Sequence, residues 1–212
     1  PYELLKTESM ALSVKKGKMM KNNARVVVIG GGVVGVSTLY HLVKKGWTDC
    51  VLIERKELTS GSTWHAAGLL PLFNMSYSVG QIHKYSVDLY GRLEEETGQY
   101  AGLSRVSNIR LATTQDRMDE YKQYAGVAQT IGVQVDMLTP DEVVDIWPLA
   151  VKNDLIGAIR HPMDGYIQPA DLTQALAKGA RDFGGQIYRN TNVTAIERTT
   201  SGEWKVTTDK GE

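Results

Sequence analysis

The apolar positions of the chain change period along its length, and each change marks an element. Val26-Val27-Val28-Ile29 is short, wholly apolar and β-branched, the pattern of a strand buried on both faces of a parallel sheet. Gly30 to Gly35 follows without a break. Val36, Leu39, Tyr40 and Val43 then recur at helical spacing, which predicts a helix from Val36 to Lys45 stopped at Gly46. Val51-Leu52-Ile53-Glu54 reads as a second buried strand. Together these make a β-turn-α-β unit of about 30 residues.

Downstream the pattern is mixed. A polar stretch rich in glycine and hydroxyl groups runs from Thr59 to Gly68. A helix is expected from about Val79 to Thr97, with Ile82, Tyr85, Leu89 and Leu93 on one face and Gly98 as its stop. Ile109 to Ala112 reads as a strand, Thr114 as the cap of a helix running to about Ile131, and Val133 to Leu138 as another strand. Thr139-Pro140-Asp141-Glu142 is a capping box with proline at the first helical position. Leu155 to Ile159 is a further strand. A helix opens at Pro169 and Ala170, presents Leu172, Leu176, Ala180 and Phe183, and closes at Gly184-Gly185. Gln186 to Tyr188, Val193 to Arg198 and Trp204 to Thr208 read as strands. Asp209-Lys210-Gly211 is turn chemistry that asks for a returning strand. The expectation is an N-terminal piece of a longer protein.

Composition narrows the classes. Of 212 residues, 42% are hydrophobic, enough for a packed core, and 24 Lys+Arg balance 24 Asp+Glu. Zero net charge offers no basic footprint, so nucleic acid is not an expected partner. The single cysteine, Cys50, forms no internal disulfide and no cysteine-rich zinc site, and no metal site is expected. A reducing compartment follows: the cytoplasm, or the mitochondrial matrix in a eukaryote. No apolar run is long enough to predict a membrane span. Pro1 to Asn23 carries five lysines, little periodicity and no apolar signal core, and reads as a disordered or non-native tail.

Gly30, Gly32 and Gly35 fit G-x-G-x-x-G, a weak signal alone. Here it follows a strand, opens a helix, and precedes by nineteen residues Glu54, at the end of the second strand. That context makes it a dinucleotide fingerprint. Gly30 permits the tight turn, Gly32 lets the backbone approach a pyrophosphate, and Gly35 lets helix and strand pack closely. The helix N-terminus presents N–H groups and a positive dipole to the phosphates. Glu54 would accept from ribose hydroxyls, which disfavours a 2′-phosphate and hence NADP. The polar loop after Glu54, where NAD proteins resume β-α alternation, favours FAD.

Ile29 to Gly35, Ile53-Glu54-Arg55 and above all Gly61-Ser62-Thr63-Trp64-His65-Ala66-Ala67-Gly68-Leu69 resemble the dimethylglycine dehydrogenase and sarcosine dehydrogenase group. The similarity continues through Leu93 to Gly98, Ile109 to Ala112 and Asp164-Gly165-Tyr166-Ile167-Gln168-Pro169. These are FAD-dependent amine oxidoreductases of the D-amino-acid-oxidase-like fold. The resemblance implies an α/β protein: an FAD-binding Rossmann-like parallel sheet with an inserted mixed α+β substrate region. Residues 24–70 and 169–212 would belong to the FAD-binding part, the second stretch truncated, and 71–168 to the substrate side. Val33, Val34, Arg55, the Gly61 to Leu69 segment and the backbone of Val193 carry over as FAD contacts. The histidine matching His65 carries the flavin covalently in that family, through a ring nitrogen bonded to the flavin 8α-methyl.

The implied reaction is oxidation of a small N-methyl amine such as dimethylglycine or sarcosine. Hydride passes to the flavin, and the iminium left behind yields formaldehyde or gives its one-carbon unit to tetrahydrofolate in a C-terminal folate domain. An electron-acceptor protein is a further candidate partner. The groups holding the substrate are expected mostly beyond Glu212, so no catalytic acid or base is assigned. His41 and His83, on predicted helices, read as surface or packing residues, and His161 is a candidate loop residue of the substrate side. Two other readings stand: a non-catalytic regulatory relative, since the regulatory subunit of pyruvate dehydrogenase phosphatase shares a Trp-His-Ala-Ala-Gly run, and an NAD-dependent dehydrogenase.

Overall fold

The computed structural model describes residues 20–211. The tail expected over 1–23 lies outside them except for its last four residues. Of these, Lys21 is already tied down, its Nζ 2.9 Å from Asp49 and its N–H donating to the Tyr188 hydroxyl. The chain is thus already held to the sheet at Lys21, before Arg25.

The first sheet is parallel. Strand β1 (Val26–Ile29) pairs with β2 (Cys50–Ile53) in the register Val26 to Cys50 through Ile29 to Ile53. Helix α1 (Val33–Lys44) connects them and buries Val36, Leu39, Tyr40 and Val43, the face the spacing predicts. Its first turn takes in Val33 to Gly35, three residues earlier than the apolar periodicity shows. Strand β2 is buried at every position. Strand β1 is only half-buried, and Ile29 is exposed, because this side of the sheet borders an open cleft of about 1030 Å³. The expectation of a first strand covered on both faces is corrected there.

After a 3-10 turn over Ser62–His65, a two-residue strand β3 (Leu69–Leu70) leads to helix α2 (Tyr77–Thr97). Ser76 caps α2, and Gly98 ends it in the left-handed region at φ 64°. Its buried face is Gly80, Val87, Leu89, Leu93 and Thr97. Ile82 and Tyr85, expected inward, are exposed. Strands β4 (Leu103–Arg105) and β5 (Asn108–Ala112), helix α3 (Gln115–Ile131), strand β6 (Asp136–Leu138), helix α4 (Pro140–Ile146), and strands β7 (Gly157–His161) and β8 (Gly165–Ile167) follow. The capping box at Thr139 and Glu142 forms as its sequence dictates. Strand β8 sits between β3 and β4, and β7 between β5 and β6, each pairing antiparallel.

Helix α5 (Pro169–Asp182) packs along α1 and buries Leu172, Leu176 and Ala180, while Phe183 just past its end remains exposed. Strand β9 (Gln186–Tyr188) then returns to the first sheet beside β2, again parallel. The hairpin β10 (Val193–Arg198) and β11 (Trp204–Thr208) faces the open cleft with Ile196 and Trp204. The architecture is the expected one, a Rossmann-like parallel sheet with a mixed α+β region between its second and third described strands. Among the described residues no helix is long and apolar enough to cross a membrane.

Candidate functional site

The site is built on the turn between β1 and α1. Gly30 holds φ at +109°, a conformation that L side chains rarely adopt. Its N–H donates to the Ile53 carbonyl at 2.9 Å. A Cβ at Gly35 would lie 2.0 Å from the Gly30 carbonyl oxygen, so helix and turn approach as closely as backbone allows. The glycine between fingerprint positions is as constrained: a Cβ at Gly31 would meet Leu58 Cδ2 at 2.6 Å and Glu54 Cβ at 2.9 Å. The fingerprint leaves Gly31 free, and only the unbroken run of three glycines hints at its role.

Glu54 holds the turn directly. Its Oε2 accepts from Gly31 N–H at 2.6 Å and its Oε1 from Lys56 N–H at 2.8 Å. A carboxylate has about four lone-pair sites, so both oxygens can still receive a ribose hydroxyl. Beside it, a recess of about 180 Å³ is lined by Ile29, Gly30, Ile53, Glu54, Arg55, Thr191, Asn192 and Val193. The structure thus brings Val193 next to Glu54 and Arg55 across 139 residues of chain. Thr191 and Asn192 carry no sequence signal of their own.

The loop after Glu54 folds back over the glycine turn. Thr59 N–H donates to the Gly31 carbonyl at 3.0 Å, with Thr59 at φ 70°. That is a costly conformation for a β-branched residue. Thr63 is buried, and its Oγ1 accepts from Val33 N–H at 2.9 Å. Helix α1 has no side-chain cap from Gly32, so Thr63 supplies an acceptor to its first turn from a distant segment. Two N–H groups of the turn, that of Gly31 and that of the expected cofactor contact Val33, are engaged by Glu54 and Thr63. The helix ladder leaves Val34 and Gly35 N–H in the first turn without intrahelical acceptors.

Around Thr63 the loop is open to solvent. Gly61, Ser62, Trp64, His65, Ala66, Ala67 and Leu69 are exposed, Trp64 by 63% and Leu69 by 70%. His65 ends the 3-10 turn, its ring 4.7 Å from that of Trp64 and tilted by 52°. It makes no hydrogen bond to another described residue. A contiguous exposed strip of aromatic, small and aliphatic residues around a free imidazole suits a flat ring system. The recess beside Glu54 adjoins the glycine turn at Gly30, and the exposed strip adjoins it through the Thr63 contact to Val33.

The other histidines differ. His41 Nε2 lies 2.9 Å from the Tyr85 hydroxyl, a packing role between α1 and α2. His161 is not a loop residue. It ends β7, wholly buried against Phe73 and Tyr124, with both ring nitrogens lacking a protein partner. Burial, helped by Arg110, depresses its pKa to about 4. Asp164, three residues on, is also buried, and burial raises its pKa to about 6 against the opposing pull of Leu72 N–H and Arg110. Cys50 is buried at the start of β2.

Residues 25–212 match the family model described as FAD dependent oxidoreductase, and the chain belongs to that family. It is 43% identical over 191 residues to mitochondrial dimethylglycine dehydrogenase of Mus musculus, covering 90% of this chain and 22% of that protein. It is 39% identical over 189 residues to the mitochondrial pyruvate dehydrogenase phosphatase regulatory subunit of Mus musculus, covering 89% of this chain and 22% of that protein. The crystal structure of L-proline dehydrogenase from P. horikoshii superposes with a TM-score of 0.81 at 28% identity, covering 91% of this chain and 50% of that one. The chain thus spans about a fifth of the length of these curated relatives. The family's cofactor is FAD, in accord with the preference for FAD over NAD drawn from the loop after Glu54.

Proposed function

We propose that the protein of which this chain forms part is an FAD-dependent oxidoreductase that demethylates a small N-methyl amine such as dimethylglycine or sarcosine. Bound flavin would supply the hydride acceptor. Gly32, Val34 and Gly35 bind the pyrophosphate through backbone N–H groups, Gly30, whose own N–H is held by Ile53, shapes the turn around it, and Glu54 binds the ribose. Arg55 and the Val193 backbone flank the adenine end, and Gly61 to Leu69 lie along the isoalloxazine. Val33 contributes through Thr63. Residues 24–70 and 169–212 form the cofactor-holding part, and 71–168 lie on the substrate side. Tetrahydrofolate and an electron-acceptor protein are further partners of the whole protein. A cytoplasmic or mitochondrial-matrix location suits this chemistry.

The observation that carries the reading is His65: an exposed imidazole without a hydrogen-bond partner among the described residues, in an exposed strip of the loop that folds back over the dinucleotide turn. A neutral imidazole is a competent nucleophile near neutral pH, and we assign His65 as the covalent flavin attachment point. Flavin fluorescence should stay with the polypeptide after denaturation and electrophoresis, and His65→Ala should abolish it. Release of all flavin from the unsubstituted protein would refute the attachment. Oxidised flavin in the whole protein should bleach when dimethylglycine or sarcosine is added without oxygen. Retained flavin that neither substrate bleaches would favour the non-catalytic reading, which the 39% identity to a regulatory subunit keeps in view.

A further inference from the structure

We propose that Asp164 is a positioning residue for the flavin-side loop, gripping the exit of that loop through the backbone N–H of Leu72. Its Oδ1 accepts this N–H at 3.0 Å in a fully buried contact between residues 92 apart in sequence. Asp164 is itself fixed, its N–H donating to the His161 carbonyl and its own carbonyl accepting from Ser107 N–H at 2.9 Å. The carboxylate therefore acts as a rigid bracket rather than a mobile surface charge.

The bracket completes a zipper. Ile167 N–H donates to the Gly68 carbonyl at 2.8 Å, and Leu69 and Leu70 pair with Tyr166 and Gly165. Gly68 holds φ at +72°, and a Cβ there would lie 2.0 Å from the Ile167 carbonyl oxygen. Leu72 lies two residues beyond the last paired position, where the chain leaves the sheet. Without Asp164 its buried N–H would have no acceptor at that point. The far end of the same loop is pinned by Thr59 and Thr63 to the glycine turn. His65 lies between the two anchors.

The segment that carries Asp164 continues directly into α5, which packs along α1. The loop exit and the pyrophosphate helix are thus joined through one rigid path. This gives a purpose to the Asp164-to-Pro169 motif, which no cofactor contact explains. Arg110 and Tyr124 face the carboxyl from β5 and α3, and neither forms a hydrogen bond with it. Leu72 N–H is its one side-chain hydrogen-bond partner among the described residues.

The inference rests on the flavin reading above, and its test separates the two. In the whole protein carrying His65→Ala, FAD binds reversibly whether or not the unsubstituted protein bonds it covalently. Apo-protein of that background is titrated with FAD, and the spectrum of the bound flavin is recorded. Asp164→Ala should weaken FAD binding about tenfold and shift the bound-flavin spectrum. Asp164→Asn keeps an acceptor oxygen and should restore both. Affinity and spectrum unchanged in Asp164→Ala, or loss of both in Asp164→Asn as in Asp164→Ala, would overturn the assignment. Where Asp164→Ala does not yield folded protein, Asp164→Glu replaces it. Its carboxylate is displaced by one methylene, and parental affinity and spectrum in that variant overturn the proposal. A background that binds no FAD overturns this inference and the flavin reading together.

Discussion

A single carboxylate at the end of β2 sets the shape of the nucleotide turn. Glu54 braces Gly31 and Lys56 through both its oxygens, so it works on the protein before any ribose arrives. Glu54→Ala is expected to weaken noncovalent FAD capture by roughly 10- to 150-fold, the range for one charge-assisted hydrogen bond. Because the turn also loses its brace, the effect should lie toward the upper end, and Glu54→Gln should be milder, since it retains one acceptor for Gly31 N–H. Equilibrium titration of apo-protein with FAD reads both, and equal affinity in all three proteins would show that Glu54 faces neither ribose nor turn in solution. Gly31 shows why the site residues were only partly legible in the sequence. The fingerprint names glycines that face the ligand or the helix, whereas Gly31 is required by Leu58 and Glu54 pressing from the next segment. That pressure exists only once the loop has folded back.

Between elements, the short 3-10 turn over Ser62–His65 does for α1 what a local cap would do elsewhere. Thr63 Oγ1 accepts the Val33 N–H, and Gly32, at the cap position, has no side chain to offer. Thr63→Val should cost about 0.5–2 kcal/mol, the range for losing a helix cap, while Thr63→Ser should remain near the parent. Denaturant midpoints at constant slope measure it, and a Thr63→Val midpoint equal to the parent's would show that the contact carries no stability. Elements with strong local rules are readable: the apolar runs of β1 and β2, the capping box of α4, the glycine stop of α2. Strands β3, β4 and β8 were not, because they have only two or three residues each and exist through pairing with one another. The face of α2 was misread at Ile82 and Tyr85. The helix takes its orientation from what covers it, and here Val87 and the small Gly80, pressed by Ile131, mark the covered side.

Across the whole molecule, 24 acidic and 24 basic residues cancel, and two buried groups, His161 and Asp164, carry the largest pKa displacements among the described residues. His161 and Asp164 act in opposite directions. The unfolded chain protonates the imidazole near 6.5, the folded protein only near 4. Between those values the unfolded state binds more protons, so this group makes stability fall as pH drops from 6.5 toward 4. Asp164 takes its proton near 6 in the folded protein and near 3.8 when unfolded. Here the native state binds the extra proton, so stability rises as pH drops from 6 toward 3.8. Each slope is about 1.4 kcal/mol per pH unit and each total roughly 3 kcal/mol, so the two nearly offset one another where their windows overlap. The thermal midpoint of Asp164→Asn, relative to the parent, should therefore fall on acidification between pH 6 and 4. That of His161→Gln should rise over the same interval, and the double variant should track the parent. The exposed carboxylates titrate alike in all four proteins and drop out of the differences. Arg110, which faces both groups, and Asp136, which faces His161, are likewise common to the set. Four parallel midpoint curves would show that neither buried group changes its protonation on folding.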